Sequence, residues 1–139
     1  MKKTIISTLF LLFAVAVFAQ EKQAEIKFAE SVHDFGPIVE GTQASHEFSF
    51  TNTGNVHLVL SSVNASCGCT TPQWTKDPIA PGQTGKVTAV FNSTGKVGPF
   101  SKSITVHSNA KNGSIILTIK GNVEQKQAEP TSPVQNQNK

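Results

Sequence analysis

The chain has 139 residues, 37% of them hydrophobic and 15% charged, with 12 Lys, no Arg and 9 acidic side chains. That length holds one domain rather than two. Without Arg there is no planar fork to read phosphate or carboxylate bidentately, and removing Lys2 and Lys3 with a leader leaves 10 Lys against 9 acids, a net of +1, so the balance excludes a nucleic-acid footprint.

Met1-Lys2-Lys3 forms a basic n-region, and residues 5–19 carry no charge. Fifteen residues are too few for a span of about 20. Val17-Phe18-Ala19 places small or moderately small residues before a cut at Gln20. Residues 1–19 are therefore predicted to be a cleavable signal peptide, which implies a periplasmic or secreted protein with no membrane span after cleavage. No Cys follows the cut, which argues against a lipid anchor.

Residues 24–123 read as the folded domain and 124–139, which have almost no large apolar side chains, as a disordered tail. Within the domain, apolar residues alternate with period two between turn signals, and helical spacing is absent. His46, Phe48 and Phe50 share one face. Residues 56–63 are rich in β-branched side chains and Leu. Val87, Ala89 and Phe91, then Ile104 and Val106, then Ile115, Leu117 and Ile119 continue the pattern. Asn52-Thr53-Gly54-Asn55, Ala80-Pro81-Gly82, Lys96-Val97-Gly98-Pro99 and Asn109-Ala110-Lys111-Asn112-Gly113 are turn-forming clusters between them. Pro72 and Pro78 confine residues 70–80 to one short edge strand. About seven short strands predict an all-β, immunoglobulin-like two-sheet sandwich, with a small barrel as the alternative. A domain of this size buries a core without a disulfide framework.

The order His33-Asp34-Phe35-Gly36, Glu40-Gly41, His46-x-Phe48-x-Phe50-x-Asn52-Thr53-Gly54, Ser66-Cys67-Gly68-Cys69-Thr70, Pro72, Trp74, Ile79-x-Pro81-Gly82, Gly98-x-Phe100-x-Lys102 and Gly121-x-Val123 runs through nearly the whole domain. This series resembles a secreted bacterial family, domain of unknown function fifteen seventy-three. That family is similar to the immunoglobulin-like domains of the major sperm protein and Hydin type. The resemblance implies the sandwich fold and supplies no activity.

Cys67 and Cys69 are the only cysteines, and three readings compete for them. An oxidising compartment favours a disulfide. In a straight strand, however, positions i and i+2 lie about 6.6 Å apart, near the upper limit for bridging, so the chain must bend, as Gly68 would permit. The closed three-residue loop would contribute only about 1.6 kcal/mol in the chain-entropy expression. A second reading is a soft-metal site for Cu(I) or Zn, with His57, His107 or a second chain completing the ligand set. The third is a pair of packing thiols near Trp74, beside a bulge at Gly68.

Other residues carry weaker signals. His33 and Asp34 could form a base and its orienting carboxylate, but neighbours in a strand face opposite ways. Asp34 instead suits the capping of backbone donors around Phe35-Gly36-Pro37. His46 is expected to be partly buried and hydrogen-bonded, His57 and His107 solvent-facing, and Trp74 a residue of the core or its edge. Pro81-Gly82 is a turn. Neither a nucleophile elbow nor a phosphate loop is present. The sequence therefore predicts a non-enzymatic, exported module that binds an unidentified protein partner, with no required cofactor. A metal-binding or thiol-redox protein acting through Cys67 and Cys69 is the alternative.

Overall fold

The computed structural model describes residues 21–128; the predicted leader and residues 129–139 of the predicted tail lie outside them. Eight strands are present: β1 (Ile26–Phe28), β2 (Val32–Val39), β3 (Gln43–Asn52), β4 (Leu60–Ala65), β5 (Thr70–Trp74), β6 (Thr84–Asn92), β7 (Gly98–Ser108) and β8 (Ile115–Glu124). They form two four-stranded sheets, ordered β1-β3-β6-β5 and β2-β8-β7-β4. All pairs are antiparallel except β2 with β8, which is parallel.

The count of eight differs from the expected seven for a specific reason. The first strand is broken at Ala29-Glu30-Ser31, and its halves join different sheets. The Ala29 N–H donates to Ser49 O at 3.0 Å, anchoring one half, and the Thr118 N–H donates to Ser31 O at 2.8 Å, anchoring the other. If β1 and β2 are counted as one interrupted strand, the two sheets have the layout of a seven-stranded immunoglobulin constant-type sandwich. β4 also starts later than the apolar run 56–63 suggests. Leu58 pairs with Ile79 instead of with β7, and Asn109 Oδ1 accepts the Val59 N–H.

Alternation places the core between the sheets. Phe48, Phe50 and Leu58 meet Val87, Ala89, Phe91, Ile104, Val106, Leu117, Ile119 and Val123, all essentially inaccessible to solvent. Burying a side chain of this class contributes roughly 1.5–3 kcal/mol. The predicted inward faces of β3, β6, β7 and β8 are those observed, and Ile116, one position out of phase, is 61% exposed.

Turns close the sandwich. The Gln83 N–H donates to Ala80 O at 3.0 Å, with Pro81 second and Gly82 third at φ +79°, the residue order a type II turn requires. β5 is the edge strand expected around Pro72. Among the described residues, no helix is long and apolar enough to cross a membrane.

Candidate functional site

Two places gather chemistry-bearing side chains. The first is the crossover between β4 and β5, where the chain passes from one sheet to the other. Cys67 and Cys69 are joined there by a disulfide, with Cα atoms 5.3 Å apart. The bend comes from a turn closed by the Thr70 N–H on Cys67 O at 3.3 Å. Gly68 is not the cause: its φ is not positive, and a Cβ there would meet open space. Both cysteines are half-buried. Cys69 packs against the core, and Cys67 Sγ lies 3.8 Å from Thr70 Oγ1. The two sulfurs are bonded to each other, and neither His57 nor His107 is grouped with them as a ligand set. Trp74 packs at the core edge as expected. The Lys76 ammonium stands 2.9 Å above its ring, and its indole N–H is buried without a partner.

The second place is the break between β1 and β2. Glu30 lies in the linker, His33 on β2 and His46 on β3, so the group bridges the two sheets. The imidazoles of His33 and His46 stack with centroids 3.5 Å apart and planes 6° from parallel. His46 Nε2 lies 2.7 Å from Glu30 Oε1. Phe35 meets the His33 ring edge-on at 4.7 Å, and Phe48 does the same to His46 at 4.7 Å. One ligand atom from each of Glu30, His33 and His46 falls within 4.8 Å of the other two. The sequence pointed to His46 as a half-buried, hydrogen-bonded imidazole, but not to this grouping. The linker turns β2 over β3, and spacing along the chain does not reveal that.

His33 and Asp34 do not act together. Asp34 faces the other way, where its carboxylate accepts the Gly36 N–H at 2.8 Å and sits 3.6 Å from Lys120 Nζ. Gly36, at φ +64°, and Pro37 follow at a register shift against β8. His57 is exposed. His107 is half-buried rather than solvent-facing, with Nδ1 2.7 Å from Ser114 Oγ at the turn between β7 and β8.

Asn52 and Gly54 are structural. Asn52 is fully buried and donates through Nδ2 to Val56 O at 2.7 Å and to Ile79 O at 2.9 Å. Its backbone N–H donates to Gln83 O, and its carbonyl accepts the Gly82 N–H. This side chain ties the turn after β3 to the turn before β6.

The edges of the sheets differ in their protection. Asn112 covers β1 by accepting from Ile26 N at 3.3 Å and donating to Ile26 O at 2.7 Å. β2 is blocked by the Asp34 cap and by Pro37, which has no N–H. β5 carries Pro72. β4 (Leu60-Ser61-Ser62-Val63-Asn64-Ala65) contains no proline, glycine or charge, and β7 is its strand partner among the described residues.

A family model described as "Protein of unknown function (DUF1573)" matches residues 26–123. No match is found among the curated proteins. Solved structures show the same fold. A protein of unknown function from Porphyromonas gingivalis W83 is similar over 78% of this chain and 51% of its own, at 14% identity and a TM-score of 0.66. The ASH/PapD-like domain 7 of human CEP192 is similar over 81% of this chain and 94% of its own, at 10% identity and a TM-score of 0.58. The Vibrio cholerae VesB protease is similar over 73% of this chain, at 17% identity and a TM-score of 0.55. This chain spans about half of the P. gingivalis protein and about a third of VesB.

Proposed function

This chain belongs to the family described as protein of unknown function (DUF1573), and from that premise we propose that it is an exported, non-catalytic protein-binding module of the bacterial cell envelope. The observation that carries the reading is the proline-free, uncharged edge of β4. Three of the four edge strands are shortened, capped or interrupted by proline, whereas β4 carries no proline, glycine or charge, and its ladder to β7 is irregular between Leu60 and Ser62 and regular from Ser62 to Ala65. Such an edge accepts an extended segment of a partner by main-chain hydrogen bonding. Export is supported by the basic, apolar and small-residue order of residues 1–19.

The test is site-directed photo-crosslinking in living cells, with the reactive group at Asn64 on β4 and a control at Glu47 on the outer face of β3. The reading requires a discrete adduct from Asn64 that is absent from Glu47 and is lost in Ser61→Lys/Ser62→Lys, because charge on an edge opposes strand addition. Equal labelling at both positions would sink it. Fractionation locates the chain, and recovery of the uncleaved form in the cytoplasm would sink the export reading.

One observation favours a second reading, thiol-redox exchange through Cys67 and Cys69. The disulfide is half-buried in a turn, not deep in the core, so a partner thiolate has a route to it. Titration against glutathione decides. A bridge that stays oxidised through the range of cellular thiol potentials leaves this reading without support.

A further inference from the structure

We propose that Glu30, His33 and His46 bind a divalent transition-metal ion of the zinc type, pinning the two sheets together where the first strand changes sides. Two imidazoles and one carboxylate are a donor set that suits Zn²⁺, with a fourth position left to water. All three ligand atoms already lie within 4.8 Å of one another. Ligands around a tetrahedral ion with bonds of about 2.1 Å sit roughly 3.4 Å apart, so the contacts to His33 must contract, by up to about 1.4 Å from the 4.8 Å limit, while the 2.7 Å Glu30–His46 pair opens.

The contraction has an identifiable route. A ring nitrogen offers its lone pair in the ring plane, so one ion cannot serve both of two parallel rings 3.5 Å apart. Binding therefore has to unstack the pair. His46 is the better-held ring, with 19% of its side chain exposed, Phe48 against it and Glu30 already 2.7 Å from Nε2. His33 sits on edge strand β2. Among the described residues its ring nitrogens make no hydrogen bond to protein, unlike those of His46 and His107. Turning the His33 ring out of the stack thus breaks no protein hydrogen bond. Glu30 is the more open of the hydrogen-bonded pair, with 47% of its side chain exposed on the linker. The ion would displace the proton shared between Glu30 and His46 and link β3 of one sheet to β2 of the other.

The site is independent of the β4 edge and of the cysteine turn, so its test does not depend on either. The tag-free full chain, stripped with chelator, is titrated with Zn²⁺ by calorimetry, and the imidazole proton resonances are followed by NMR. The expected result is one ion per chain, a rise in Tm, and a shift of the His33 and His46 ring protons as the stack opens. His33→Gln and His46→Gln should each abolish the Tm rise. Glu30→Gln should weaken binding about tenfold or more, and His57→Gln should leave it unchanged. The metal-free Tm of each variant separates lost binding from lost folding. Absence of binding below 100 µM Zn²⁺ (about the level where added ion ceases to be selective), binding that survives His33→Gln/His46→Gln, or binding that leaves the ring resonances unmoved would each overturn the proposal.

Discussion

Asn52 accepts the N–H of Gly54 at 3.0 Å, and the same side chain donates to two carbonyls belonging to different turns. One buried amide thereby holds the turn after β3 against the chain leading into the turn before β6. Asn52→Ala leaves the part-buried Val56 carbonyl and the buried Ile79 carbonyl without this donor. The expected cost is about 3 kcal/mol, read as a lower urea midpoint at unchanged slope. Asn55→Ala is the contrast. It removes exposed bonds to Gln23 N and Glu21 O and should cost less than about 1 kcal/mol.

Gly54 and Gly36 are both glycines of the shared motif, but for different reasons. A Cβ at Gly54 would strike the backbone of Gln23, Ala24 and Glu25, which cannot move without detaching the segment that leads into β1. A Cβ at Gly36 would meet nothing within 4 Å, but φ is +64° there. Gly36→Ala should therefore cost about 1–2 kcal/mol of backbone strain. Gly54→Ala should cost more than that and should strip hydrogen-exchange protection from the Thr53 and Asn55 amides, which bond to Glu25 O and Gln23 O. Equal losses in the two variants would refute this distinction.

Reduction of the Cys67–Cys69 bridge should leave the sandwich standing. The loop it closes is three residues long, and the turn around it is already held by the Thr70 N–H. Cys67→Ser/Cys69→Ser is expected to cost about 1–2 kcal/mol and to keep the far-UV spectrum of the parent. Denaturing mass spectrometry should show a 2 Da gain on reduction, from the two hydrogens that an opened disulfide takes up. A double variant that fails to fold would mean that the bridge organises the crossover rather than trimming it.

The sandwich was legible because its inward faces are long and regular. Phe48 and Phe50, Ile104 and Val106, and Leu117 and Ile119 alternate with polar residues, Val87, Ala89 and Phe91 alternate with Thr88 and Val90, and period-two alternation on a half-buried sheet leaves one register open. The broken first strand was not legible. Val32-His33-Asp34-Phe35-Gly36-Pro37 has glycine and proline inside it, and its pairing is parallel to the far end of the chain, at Thr118 to Glu124. For the same reason the grouping of Glu30, His33 and His46 stayed hidden, since it exists only after β2 crosses to the opposite sheet. His46 on the inward face of β3 and the Asp34 cap are local features, and both could be read from neighbouring residues.

The parallel pairing of β2 with β8 leads to the last prediction. Gly121 lies on β8 beneath β2, and a Cβ there would come within 2.8 Å of Gly36 O and 2.9 Å of the Phe100 ring. Phe100 cannot easily retreat, because it stacks on Phe91 at 4.0 Å and Phe91 is fully buried. The Gly36 backbone, on an edge strand with a register shift between Asp34 and Pro37, is the softer side. Gly121→Ala should therefore lift β2 off β8 while β3, β6 and β7 stay packed. The expected global loss is about 1–3 kcal/mol. Loss of exchange protection should concentrate at Thr118, whose N–H donates to Ser31 O, and at Glu40, whose N–H donates to Glu124 O. Amides in the β3–β6 ladder should keep theirs. Because His33 rides on β2, the His33–His46 ring stack should loosen in the same variant, read as a collapse of its ring-current shifts. Uniform loss of protection across both sheets would show instead that β2 is not separable from the core.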